Sequence, residues 1–230
     1  MREGQTSVRT CYLSNFARIL IPLLFPPAAL QAQLTFYGGA LAGVSTLSAD
    51  GQTQIDATRA AASSYKPLNG PAVNLFAGLH LSNYLGVQGN YVFNRNAVTM
   101  SAIDGASVYE QRRGSRQHAI VADALLYFRP RASWVRPYLS GGLGAVHLAS
   151  AADAAGVVRG LPAIPPSRFS STAAGFRVAV GIDIRVASKV FFRYSFSETI
   201  RANEFSRQLR PRGERNLANF QNLFGFGVSF

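Results

Sequence analysis

Residues 176–196 read Phe176-Arg177-Val178-Ala179-Val180-Gly181-Ile182-Asp183-Ile184-Arg185, then Val186-Ala187-Ser188-Lys189, then Val190-Phe191-Phe192-Arg193-Tyr194-Ser195-Phe196. In the first part Phe176, Val178, Val180, Ile182 and Ile184 take alternate positions, and Arg177, Asp183 and Arg185 fall between them. A period of two is that of a β-strand, with one apolar face and one that carries charge. The turn through Val186-Ala187-Ser188 leads into a second strand, where Val190, Phe192, Tyr194 and Phe196 alternate with Phe191, Arg193 and Ser195. Asp183 and Arg193 share a face across this hairpin and come within diagonal reach.

The same pattern extends in both directions. Towards the N-terminus, Ile120, Ala122, Ala124, Leu126 and Phe128 alternate with a face holding Asp123, and a turn through Arg129-Pro130-Arg131 leads to a Gly-rich strand from Tyr138. Before these, Val73, Leu75, Ala77, Leu79 and Leu81 alternate with Asn74, Phe76, Gly78 and His80. Beyond the turn at Asn83-Tyr84, Leu85, Val87, Gly89, Tyr91 and Phe93 face away from Gln88, Asn90 and Asn94. A first strand over 34–47 and a last one ending Phe224-Gly225-Phe226-Gly227-Val228-Ser229-Phe230 bring the total to eight. Tight turns near 83, 132 and 187 alternate strictly with connections of about fifteen to twenty-five residues. A soluble sandwich has no reason to gather its long loops at one end, whereas an outer-membrane barrel has short periplasmic turns and longer extracellular loops.

Composition agrees. The 230 residues are 48% hydrophobic but only 15% charged, with 21 Gly and a net charge of +12. No stretch approaches the eighteen or so apolar residues of a membrane helix, which excludes a helical membrane protein and leaves strands that show one face to lipid. Arg2, Arg9 and Arg18 precede an apolar run over 19–30 that leads into Leu30-Gln31-Ala32, the pattern of a secretory signal. A short buried strand or helix is the alternative, and the three prolines of the run argue against a helix. The expected organisation is a signal peptide over 1–32 and a barrel domain over 33–230. Cys11 falls in the signal, so no disulfide, thiol catalysis or zinc-thiolate site is expected.

The C-terminal Asn222-Leu223-Phe224-Gly225-Phe226-Gly227-Val228-Ser229-Phe230 is similar to the signature that outer-membrane barrels present to their assembly machinery. With the signal and eight strand candidates before it, the chain resembles the small barrels of the OmpA transmembrane-domain and OmpX kind over nearly all of residues 33–230. The resemblance implies an all-β, eight-stranded antiparallel up-and-down transmembrane β-barrel in the cell outer membrane, monomeric, inserted by the assembly machinery. Phe230 would be the recognised terminus, with Phe224, Phe226 and Val228 on the same face. The chain ends at Phe230, and no appended peptidoglycan-binding domain is expected. A soluble lipocalin-like barrel, its apolar face turned inward around a ligand, is the main rival.

An eight-stranded barrel encloses little more than its own side chains, so a broad pore is not expected. Asp123, Arg177, Asp183, Arg185 and Arg193 are expected in the interior, each Asp meeting an Arg because an unpaired charge there is costly. This network reads as a structural plug, with a narrow ion pathway as the alternative. Small barrels that modify lipid A use a Ser, a His and an acid near the outer rim, and the resemblance raises that possibility here. His118 and His147 lie nearer the outer ends of their strands, Ser150 and Glu110 nearby, but the His-x-Ser arrangement of the deacylases is absent. No catalytic residue, metal site or cofactor is expected.

The loops are basic. Arg95, Arg112, Arg113 and Arg116 lie in the second long connection and Arg201, Arg207, Arg210, Arg212 and Arg215 in the last. Arginine forks match phosphate geometry, so contact with phosphorylated lipopolysaccharide of a Gram-negative outer leaflet is the binding expectation. Nucleic acid is not an expected partner of an exported barrel.

Overall fold

The computed structural model describes residues 34–49, 52–56, 59–104, 107–159, 167–202 and 216–230. The expected signal peptide lies outside the described residues. Every regular element among the described residues is a strand: β1 (Thr35–Ala49), β2 (Gln52–Asp56), β3 (Arg59–His80), β4 (Leu85–Asp104), β5 (Ser107–Tyr127), β6 (Val135–Arg159), β7 (Arg168–Arg185), β8 (Val190–Ala202) and β9 (Asn216–Ser229). Sequential strands from β3 to β9 pair antiparallel, β9 pairs with β1, and β1 returns to β3 from Thr35↔His80 to Thr46↔Asn69. The sheet therefore closes as an eight-stranded barrel of β1 and β3–β9, while β2 lies against the first residues of β3. Closure pairs the first and last strands of the barrel wall with each other, the condition for a sheet to survive in lipid, and the strand edges that stay open, along β2 and the first residues of β7, lie at the loop end.

Three tight turns, at residues 81–84, 128–134 and 186–189, occupy one end of the barrel. At the other end the strands run well past the alternation seen in sequence. Strands β4 and β5 stay in register as far as Asp104↔Ser107, so most of the second long connection is a β-hairpin. β6, of 25 residues, likewise continues to Arg159. About ten residues per strand cross the apolar band, so these strands project beyond it. There the outer face meets water instead of lipid and carries Arg95, Arg112 and Arg116, while the inner face stays buried at Val98, Met100 and Arg113 and the ladder continues. Register shifts between Leu68 and Ala72 and between Gln111 and Arg113 further break the period.

Alternate side chains point to opposite sides of the wall. Outward stand Leu75, Ile120, Leu143, Val180, Phe224 and Phe226, all exposed large apolar groups that only lipid can cover. Inward stand Tyr37, Leu41, Phe76, Phe191 and Leu223, packed together near the turn end. The barrel thus has its apolar majority outside and its charges inside, the reverse of a soluble barrel.

Candidate functional site

The interior is crossed by side chains at successive levels. Nearest the turns, Arg193 from β8 makes a two-pronged pair with Asp183 of β7, Nε to Oδ1 at 2.6 Å and Nη2 to Oδ2 at 2.7 Å. The two residues sit directly opposite in the β7–β8 register, closer than the diagonal contact read from sequence. Arg193 also donates to Gln88 Oε1 at 2.6 Å and to the Tyr127 hydroxyl at 3.1 Å, and that hydroxyl donates to Asp183 Oδ2 at 3.2 Å. Gln88 is on β4, diametrically across the barrel from β8, so one arginine spans the lumen. The rings of Phe76, Tyr138, Phe191 and Tyr37 lie 4.6 to 5.6 Å from its guanidinium carbon. Aromatic faces favour a cation, and the bidentate carboxylate satisfies its donors.

One level higher, Arg177 of β7 pairs with Asp123 of β5, and both are buried. Asn90 donates to Asp123 Oδ2 at 3.0 Å and accepts from Asn74 and Gln88, which joins this pair to the one below. Between Asp123 and Arg177 lies Gly142 of β6, in register with both. A Cβ there would collide with the Asp123 carboxylate and the Ala122 carbonyl, so glycine is what lets the charges meet over the intervening strand. Higher still, Asn219 of β9 donates to Gln117 of β5 at 2.7 Å, again across the lumen. Near the loop end Arg201 donates to the carbonyls of Val146 and Ser171 and to the Ser171 hydroxyl, and Arg113 to Ser150 Oγ.

Asp123, Arg177, Asp183 and Arg193 form the two pairs. Arg185 does not join them: it is half-buried at the turn end and its guanidinium donates to the Arg131 carbonyl. Two of the expected loop residues are corrected. Arg113 and Arg201 lie inside the barrel, 0% and 2% exposed, because both loops begin as strands and these positions fall on the inward phase. Arg112 and Arg116 are exposed, and Arg112 meets Asp153 at 3.3 Å. Arg207, Arg210, Arg212 and Arg215 lie outside the described residues. Phe224, Phe226, Val228 and Phe230 all point outward on β9 and just beyond it, and the Phe230 amide donates to the Phe36 carbonyl at 2.9 Å.

Sequence reading missed the partners that are not charged. Alternation puts Gln88 and Asn90 on the polar face of their strand without naming what they meet, and Tyr127 is buried under Arg136, whose guanidinium carbon lies 3.8 Å from its ring centroid. The inward phase of β5, shared with Asp123, is the signal that places Tyr127 in the lumen.

On the outer wall, Phe93, His118, His147 and Thr172 form a continuous cross-strand row from β4 to β7. His118 Nδ1 bonds the Tyr91 hydroxyl at 2.8 Å and His147 Nδ1 the Thr172 hydroxyl at 2.9 Å. Ser150, three residues from the outward His147, is on the inward face, so that pair cannot form a nucleophile and base.

These features define an integral outer-membrane β-barrel with a filled interior. The family described as "Outer membrane protein beta-barrel domain" matches residues 19–230, and the chain belongs to it. Neisserial surface protein A superposes with a TM-score of 0.50 at 15% identity over 85% of this chain and 97% of its own. OprG from Pseudomonas aeruginosa gives 0.48 at 14% identity over 87% and 99%, and the attachment invasion locus protein Ail of Yersinia pestis 0.44 at 14% over 86% and 97%. At 15% identity the likeness to Neisserial surface protein A is one of fold. No curated protein matches the sequence.

Proposed function

We propose that this outer-membrane barrel is a non-catalytic envelope protein that conducts no solute and makes its contacts through its outward surface, lipopolysaccharide among them. The observation that carries the reading is Arg193, which reaches from β8 to Gln88 on β4 while held by Asp183. A charge fixed in this way blocks the lumen, and removing it would leave Asp183 buried without its partner. Absence of catalysis is supported by the separation of Ser150 from His147 and by the hydroxyl partners of both outer histidines. Lipopolysaccharide contact is supported by exposed Arg112 and Arg116 at the loop end, with Arg207, Arg210, Arg212 and Arg215 as further candidates. The outward Phe224, Phe226, Val228 and terminal Phe230 suit recognition by the assembly machinery, and a monomer is the expected state.

The test is ion flux from proteoliposomes holding the folded protein. No flux above that of empty vesicles is expected, and flux in Arg193→Ala is expected to rise. A wild type that passes small ions would favour the narrow channel instead.

A further inference from the structure

The outer wall above the histidine row carries a feature that the lumen does not use. The next row up in the same register is Arg95↔Arg116↔Ala149↔Ser170, and the one above it continues through Gly114↔Ala151↔Arg168. Arg95, Arg116 and Arg168 are all exposed. They border a shallow depression of about 730 Å³ whose floor is made of small residues, Gly114, Ala149 and Ala151. Asp153 also lines it, tied to Arg112 at 3.3 Å. Among the described residues no ion pair includes Arg95, Arg116 or Arg168.

Two like charges directly opposite each other on neighbouring strands repel. Arg95 and Arg116 stand in that relation, with the small residues beside them leaving room for a group between strands. An anion there would turn the repulsion into a shared site, since guanidinium forks pair with phosphate oxygens through two parallel hydrogen bonds. The depth identifies the anion's source. At about 3.4 Å per residue the Arg95–Arg116 row lies roughly 7 Å above the Phe93–His118–His147–Thr172 row. Beneath that row the wall is apolar, with Ile120 68% and Leu143 69% exposed. A lipid in the outer leaflet would lay its acyl chains on Ile120 and Leu143 and bring its headgroup to the arginines.

We infer that Arg95, Arg116 and Arg168 form a cradle on the outer wall for the phosphate of a phosphorylated outer-leaflet lipid headgroup. The inference rests on the reading of the outward surface as the contact surface, and adds that the strands, rather than the loop tips, hold the lipid.

Native mass spectrometry in mild detergent tests it, with bis-phosphorylated lipid A, dephosphorylated lipid A and inorganic phosphate as probes. The wild type is expected to retain bis-phosphorylated lipid A, to retain the dephosphorylated form poorly, and to hold lipid A against millimolar phosphate. The triple variant Arg95→Gln, Arg116→Gln, Arg168→Gln is expected to bind about tenfold more weakly, the scale of losing charge-assisted hydrogen bonds. Arg168→Gln alone, a milder change should the triple variant not fold, is expected to lose about threefold by the same reasoning. Replacing Arg207, Arg210, Arg212 and Arg215 with Gln is expected to change retention little. Unchanged binding by the triple variant, with loss in the loop variant, would overturn the cradle and leave the surface-contact reading standing. Equal retention of dephosphorylated lipid A, or displacement by free phosphate, would also overturn it. No retention of lipid A by the wild type would overturn both.

Discussion

Arginine meets opposite circumstances on the two sides of this wall. Inside, Arg193 and Arg177 are fully buried and each is matched to a carboxylate, the one directly opposite on the neighbouring strand and the other across one intervening strand. Outside, Arg95, Arg116 and Arg168 crowd one patch, and among the described residues no carboxylate is paired to them. In the lumen an unmatched charge would cost several kcal/mol, so the protein supplies its partner. On the wall water screens the charges, and a surplus is tolerated and left open to an external anion. The difference separates charges that hold the barrel together from charges available for contact.

The largest expected effect breaks the inner side. Arg193→Met removes the cation and leaves Asp183 buried without it, and should destabilise the barrel by about 3–5 kcal/mol. Urea unfolding in lipid vesicles, followed by heat-modifiable gel migration, measures this. Gly142→Val comes next: its side chain would collide with the Asp123 carboxylate and the Ala122 carbonyl, and overpacking of this kind costs about 1–3 kcal/mol in the same assay. On the outer side, Gln at Arg95, Arg116 and Arg168 together should leave unfolding within about 0.5 kcal/mol of wild type per site, as surface changes do. A large loss there would mean that the wall arginines are structural after all. Least of all should stability respond to removal of Phe230, which is 77% exposed and joined to β1 by one backbone bond. Its effect is expected on the yield of inserted protein in cells, and normal yield would detach Phe230 from assembly.

The fold was legible because lipid demands an apolar outer face, and that demand writes a period of two into β7 and β8 most clearly of all. Where the demand ends, legibility fades: 59–70, 95–104 and 107–116 are strand in the structure, yet the outward phase holds Arg95, Arg112 and Arg116 in place of an apolar row, and Val98 and Met100 alternate on the inner face alone. This is why Arg113 and Arg201 read as loop residues. Their inward phase follows only from counting along strands whose extent the sequence does not mark. The Asp183–Arg193 pair was legible from hairpin spacing, since a short turn fixes which residues face each other. Asp123–Arg177 was not, because the two are 54 positions apart and meet across β6 only where Gly142 leaves space. Arg168 was missed because its neighbours Arg95 and Arg116 belong to other strands, and only the lateral register assembles the three.

That the lumen is held shut by charges that need each other is the claim most open to direct measurement. A double-mutant cycle on Asp183→Leu and Arg193→Leu, read by urea unfolding in vesicles, gives the coupling between them. The expected result is that the double variant is more stable than the sum of the single losses by at least about 1.5 kcal/mol, within the range for contacting charged partners. Additivity to within about 0.5 kcal/mol, the behaviour of independent sites, would contradict it.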